Sequence, residues 1–283
     1  MNGNRTWIRP RAEPLRLHLR PAEMFGSLWA NRHVIAQLGR RNVQIRHRGS
    51  FLGVLWTLLN PLLLLGVYTL VFTVFLPVAA DGPARAEFVL RVFGGIVVFG
   101  VFSETVNRAA TVVAAHPSFV KKVVFPLEAL VVADLFASAV LGAVNLGVLF
   151  LAVAALEGTV HWTWILVPLI APALLLLTLG AGWIVAALGV YIKDVGAAIG
   201  VVMTILFFVT PIFYRLDDVG EPMRTLLGLN PLAAIVESFR ASIVLGRPPD
   251  ALRLLLVTAA SLVAAQLGFA LFRAAKRGFA DVL

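Results

Sequence analysis

From Phe51 to Leu76 the chain runs 26 residues without a charged side chain, directly after Arg46 and Arg48. A transmembrane helix needs about 20 predominantly apolar residues, so this run can cross a bilayer with some tilt. Asn60-Pro61 interrupts it near the middle. A proline there removes a backbone donor and frees a carbonyl, which hydrocarbon tolerates only where neighbouring helices or water satisfy it. The run therefore predicts a kinked first span that enters from the cytoplasm and packs inside a bundle.

Five further apolar segments, 88–113, 127–156, 164–191, 195–214 and 251–272, join the span at 51–76. With 60% apolar residues and a mean hydropathy of +0.91, the chain is far from a soluble domain. The expected fold is an all-α polytopic membrane protein of six transmembrane helices, TM1 to TM6. Its predicted parts are a basic cytoplasmic arm (1–23), an amphipathic interfacial helix and connection (24–50), a transmembrane domain (51–275) and a cytoplasmic tail (276–283).

Charge placement orients it. Residues 1–50 carry ten arginines against Glu13 and Glu23, and all four lysines fall on the side that this topology makes cytoplasmic. The positive-inside rule then puts both termini in the cytoplasm. A basic arm before a span is explained by anionic lipid head groups, which sets nucleic acid aside as a partner. No short apolar core with a cleavage site precedes Leu52, so no signal peptide is expected. Cysteine is absent, which excludes disulfides and cysteine-ligated metal.

Met24 to Val43 reads as one amphipathic helix, with Phe25, Leu28, Trp29, Ile35, Ala36 and Val43 on an apolar stripe and Arg32 snorkelling across it. It is either a membrane anchor or the place where Arg40, Arg41, Arg46 and Arg48 recruit an anionic lipid-linked substrate. The inner loop at 114–126 holds Phe119, Val120, Lys121 and Lys122, and is either a plain basic loop or a docking peg. The outer segment at 222–246 contains Leu232, Ile235, Val236, Phe239 and Ile243 on one face, and at 15 residues Pro231–Leu245 is too short to span. It is expected to lie in, or dip into, the outer leaflet.

Glu104, Arg108 and Asp134 stand out as intramembrane charges, each costing about 2.5–3.5 kcal/mol at a helix centre unless paired. Glu104 and Arg108 are one turn apart, and a Glu104–Arg108–Asp134 cluster would staple the second span to the third. Trp56, Tyr68, Phe72 and Phe75 on the first span and Phe207, Phe208, Phe213 and Tyr214 on the fifth are packing or belt aromatics, or a lining on which sugar rings stack. Gly196 and Gly200 have the GxxxG spacing of a close helix approach. No lysine follows a glycine, and HExxH and GxSxG are absent. The chain has no P-loop for ATP, no metal site and no nucleophile, so it reads as no enzyme.

Five stretches in order resemble the membrane subunits of type-2 ABC exporters, especially polysaccharide permeases that export lipopolysaccharide O antigen. They are LGVLWTLLNPLLLLGVYTLVF (52–72), VKKVVFPLEAL (120–130), YIKDVG (191–196), VTPIFY (209–214) and LNPLAAIVESFRASIVLG (229–246). Lys193 departs from the arginine common before that aspartate, and His116-Pro117-Ser118 from the usual asparagine-led turn.

The resemblance implies a homodimer in the bacterial inner membrane, driven by two copies of a separate ATPase that binds ATP and Mg, with no cofactor on this chain. Its cargo would be undecaprenyl-pyrophosphate-linked glycan. By the same likeness His116, Phe119, Val120, Lys121, Lys122 and Phe125 form the coupling helix, 222–246 an outer re-entrant gate, and the TM1 and TM5 aromatics the channel lining. Other cargo on the same fold (teichoic acid, capsule, galactan, lipid or drug) and a membrane-embedded transferase are the alternatives.

Overall fold

The computed structural model describes residues 21–46, 55–75, 83–121 and 125–283. Arg48 and Lys122, and the arm up to residue 20, lie outside the described residues. Every regular element described is helical.

Four segments are long and apolar enough to cross a bilayer. They are α4 (Pro83–Val112), α6 (Glu128–Glu157), α7 (Val167–Tyr191) with its 3₁₀ lead-in at Trp162–Leu166, and α11 (Ala251–Lys276). The other two expected spans are shorter. Helix α3 (Trp56–Leu70) and helix α8 (Val195–Val209) have 15 residues each, about 22 Å at 1.5 Å per residue.

Helix α3 borders residues that lie outside the described ones, whereas α8 ends for a local reason. Helix α3 runs through the buried Pro61 and passes into a π-helical turn at Val71–Phe75. Helix α8 stops at Thr210, whose ψ of 132° is extended, because a residue before proline is pushed out of the α region. Pro211 does this here.

The N-terminal helix is two helices, α1 (Pro21–Ala30) and α2 (Arg32–Arg46), broken at Asn31. Phe25 and Trp29 keep exposed apolar surface, and Arg32 sits 4.9 Å from the Trp29 ring centroid. Helix α2 is not free on a surface. Its polar side turns inward and climbs along α6.

The segment between α8 and α11 is built of short helices. A 3₁₀ turn at Leu216–Asp218 and helix α9 (Met223–Gly228) lead to α10 (Pro231–Ile243), capped by the Asn230 side chain on Leu232 N at 3.0 Å. Helix α10 is sunk into protein. Leu232, Ile235, Val236, Phe239 and Ile243 are each at most 3% exposed, and so are Ala233 and Ser242 on its other side. Contact with α4, α7 and α11 accounts for the burial.

The centre is the crossing of α7 and α11. A Cβ on Gly180 would lie 2.6 Å from the Ala264 carbonyl carbon, and one on Gly268 would strike the Gly180 backbone. The expected small-residue pair on α8 does not serve this purpose: a Cβ at Gly200 would meet nothing within 4 Å. Trp183 is fully buried beside Phe269, and its Nε1 donates to the Glu128 carbonyl at 3.1 Å.

Candidate functional site

A polar network occupies the half of the bundle where α2 packs on α6. Gly39, Asn42 and Arg46 follow one another at three- and four-residue steps and so share a face of α2. Gly39 lets that face close on α6, since a Cβ there would lie 2.5 Å from Phe136 Cδ1. Asn42 Nδ2 then donates to Asp134 Oδ1 at 2.9 Å, and Arg46 Nη2 to Ser138 Oγ at 3.1 Å. The two steps run in the same direction on both helices, which is how α2 rises into the bundle.

From α4, Arg108 Nε donates to Asp134 Oδ1 at 3.2 Å, as the expected cluster requires. Glu104 does something else: its Oε1 lies 2.6 Å from Arg46 Nη1. Two carboxylates and two guanidiniums thus neutralise one another across three helices. Arg46, expected at the lipid head groups, is drawn into this network with only 9% of its side chain exposed.

Asp134 is 2% exposed and holds both an amide and a guanidinium. Asp134→Ala is expected to lower stability by about 1–3 kcal/mol, the cost of leaving such partners unsatisfied. Thermal unfolding in detergent measures it. Transport per folded molecule should be unchanged, because a staple carries no protons, and a loss there would contradict that role.

Below the network a cleft of about 290 Å³ is lined by Arg41, Asn42, Arg108, His116 and Asp134, among others. Arg41 and Arg108 make the cleft wall cationic, and Arg40, next to Arg41 on the chain, is exposed. His116 Nδ1 lies 2.8 Å from the Val112 carbonyl. His116 precedes the short helix α5 (Pro117–Val120), whose Phe119 and Val120 are half-buried and whose next residue, Lys121, is exposed.

A second cavity, about 580 Å³, opens between α3, α4 and α6 and is lined by Trp56, Asn60, Pro61, Glu104 and Asn145 along with aliphatic side chains. Aromatics crowd farther along the bundle. Tyr68 faces Phe213 at 6.5 Å, Phe213 faces Phe207 at 5.3 Å, and Phe207 faces Phe99 at 5.2 Å. Phe208 packs on both Phe207 and Phe213 yet stays 62% exposed. Phe75 is exposed, and the Phe72 side chain lies outside the described residues. Tyr214 donates its hydroxyl back to the Val209 carbonyl at 2.8 Å, tying the turn after α8.

At the opposite end from the cleft, Arg240 of α10 is 5% exposed. It donates to the carbonyls of Arg91 (2.9 Å), Pro211 (2.5 Å) and Ile212, and pairs with Glu237 at 3.3 Å. Burial pulls its pKa down to about 10, partly opposed by Glu237, so it keeps its charge at neutral pH. A cavity of about 520 Å³ lies beside it, lined by Arg91, Phe213, Tyr214, Arg215 and Glu237 among others. Among the described residues no cluster of His, Asp and Glu could hold a metal ion.

The sequence profile of the ABC-2 type transporter family matches residues 33–244. The chain belongs to that family. The chain is 30% identical over 256 residues to the O-antigen export system permease protein RfbA of Myxococcus xanthus, covering 90% of this chain and 96% of that one. It is 24% identical over 253 residues to the Klebsiella pneumoniae protein of the same name, covering 88% and 95%. With the polysialic acid transport protein KpsM of Escherichia coli it shares 23% over 238 residues, 82% and 90% of the two chains.

For an ABC-2 chain, the arrangement is that of a multi-pass transporter subunit, not an enzyme. The structure gathers Arg46, Glu104, Arg108 and Asp134, and separately Tyr68, Phe207, Phe208 and Phe213. It leaves Arg40 apart from Arg46. Sequence reasoning passed over Asn42, Ser138, Phe99, Glu128 and Arg240. Asn42 was readable as four residues before Arg46 on one helix face, whereas nothing in the sequence around Arg240 signals its burial.

Proposed function

We propose that this chain is the permease half of an ATP-driven exporter of lipid-linked polysaccharide, with lipopolysaccharide O antigen as the leading cargo. The observation that carries this is its similarity, at near full length, to O-antigen export permeases. Six spans with both termini in the cytoplasm, two copies of this chain, and two copies of an ATPase that holds ATP and Mg complete the machine.

The chemistry fits that assignment. Arg41 in the inner cleft, with Arg40 and Arg48 near it on the chain, offers charge-assisted hydrogen bonds to a lipid pyrophosphate. Tyr68, Phe208 and Phe75, with Trp56 nearer the inner end, present ring faces to the apolar C–H faces of passing sugars. Phe119, Val120 and Lys121 form an apolar knob with a cation, suited to a groove on an ATPase beneath.

The resemblance to a polysialic acid transport protein favours an acidic capsular glycan as the second reading. Photocrosslinking inside the membrane with radiolabelled lipid-linked glycan tests the assignment. Label on this chain, and intracellular build-up of the glycan in its deletion, is the expected result. Export that continues in the deletion, with no label on the chain, would end it.

A further inference from the structure

At the inner end of the bundle one carboxylate gathers several helices. Glu128 opens α6 and is 4% exposed. It accepts from Lys276 Nζ at the last turn of α11 (3.0 Å) and from Ser27 Oγ on α1 (3.3 Å), while its backbone carbonyl takes the Trp183 indole of α7. Lys276 Nζ also donates to the carbonyl of Phe125 at 3.1 Å, where the loop at 114–126 returns to the bundle. Phe125 stacks on Phe119 at 4.2 Å, and Phe119 on His116 at 5.5 Å. A continuous line of contacts therefore runs from α5 to the end of α11.

A staple alone does not account for this geometry. An acid in the first turn of a helix and a cation in the last turn of another each answer a helix dipole where they stand. A buried ion pair adds little net stability and is better suited to fixing register. The second bond of that ammonium, to the Phe125 carbonyl, ties Lys276 through the Phe125–Phe119 stack to α5. Tyr191 OH donates to the Ala275 carbonyl at 2.8 Å, so movement of α5 would reach α7 as well.

We infer that Glu128 and Lys276 are positioning residues of the transport cycle: their pair transmits displacement of α5 by the ATPase into α11 and α1. The inference rests on the exporter reading above and adds the part of the bundle that answers first.

The chain contains no cysteine, so paired spin labels can be placed without background. Ser118, Ile165 and Arg277 are exposed positions for them. In proteoliposomes of the full chain with its ATPase subunit, the Ser118→Cys/Arg277→Cys separation is expected to hold when ATP binds, while Ser118→Cys/Ile165→Cys changes. Lys276→Met should release the first pair and lower transport per ATP hydrolysed by about tenfold, the scale of residues that carry coupling. Lys276→Arg should restore both.

A 118–277 separation that changes in the otherwise unaltered chain would overturn the inference. So would a 118–165 separation that does not change, or unaltered coupling in Lys276→Met. The label distances are read in a chain with its pair intact, so a misfolded variant leaves them decisive. They need no cargo, whereas failure of the exporter reading would show as absent glycan transport by the parent complex.

Discussion

Arg240→Ala is expected to cost about 3–5 kcal/mol of stability, the range for breaking a buried charged group out of its partners. Loop carbonyls make it severe. Pro211 and Ile212 follow the end of α8, where carbonyls have no helical partner of their own, and the guanidinium serves both while also reaching Arg91 on α4. Gly95 makes the space, since a Cβ there would lie 2.8 Å from Nη2. Alanine would leave an empty volume and the carbonyls without donors. Arg240→Lys should fall between, because an ammonium cannot reproduce the planar fork. Thermal unfolding of the purified chain in detergent reads the order Arg, Lys, Ala. An alanine variant that melts with the parent would show that the guanidinium holds nothing.

Arg240 also marks where sequence reasoning stops. Period and length found the four long apolar helices because burying an apolar helix is a local property of about 20 residues. In the sequence Arg240 is one charge among several between the fifth and sixth spans, with Glu237 close by. What the sequence does not show is that α10 is buried on all but the strip of Glu237 and Ala241. Pro231–Leu245 has one clear apolar face, but Ala233 and Ser242 opposite it give no hint of contact. Small residues are ambiguous in sequence: they fit a lipid-facing surface and a tight interface equally well.

The polar network is half legible for a similar reason. Arg108 and Asp134 can be matched by depth along their helices from the rise per residue alone. Glu104 was assigned to Arg108 because i,i+4 neighbours are visible in sequence. Arg46, 58 positions away, took it instead. Such a choice depends on how α2 packs, and the break at Asn31 that frees α2 to rise along α6 carries no proline or glycine to announce it.

Leucine at Gly180 is expected to damage assembly at least as much as the roughly 3 kcal/mol that marks the upper end of ordinary overpacking. In a membrane the spans are not held together by exclusion of water, since lipid tails are as apolar as leucine. Close packing has to supply the association. On α11, Ala264 and Gly268 are one turn apart, and the Gly180 backbone lies against both. A larger side chain would meet backbone atoms of α11, which cannot rotate away as a side chain tip can, so the two spans would have to separate along their whole crossing. Trp183 and Phe269, fully buried one turn farther along the same contact, would lose their packing with it. Gly200→Leu is the matched control: it adds the same side chain to another apolar helix where a Cβ meets nothing within 4 Å, and a change of about 0.5 kcal/mol or less is expected. Unfolding in detergent, together with resistance of the intact chain to limited proteolysis, separates the two variants. Equal behaviour of both would mean that the α7–α11 crossing is not the contact on which the bundle closes.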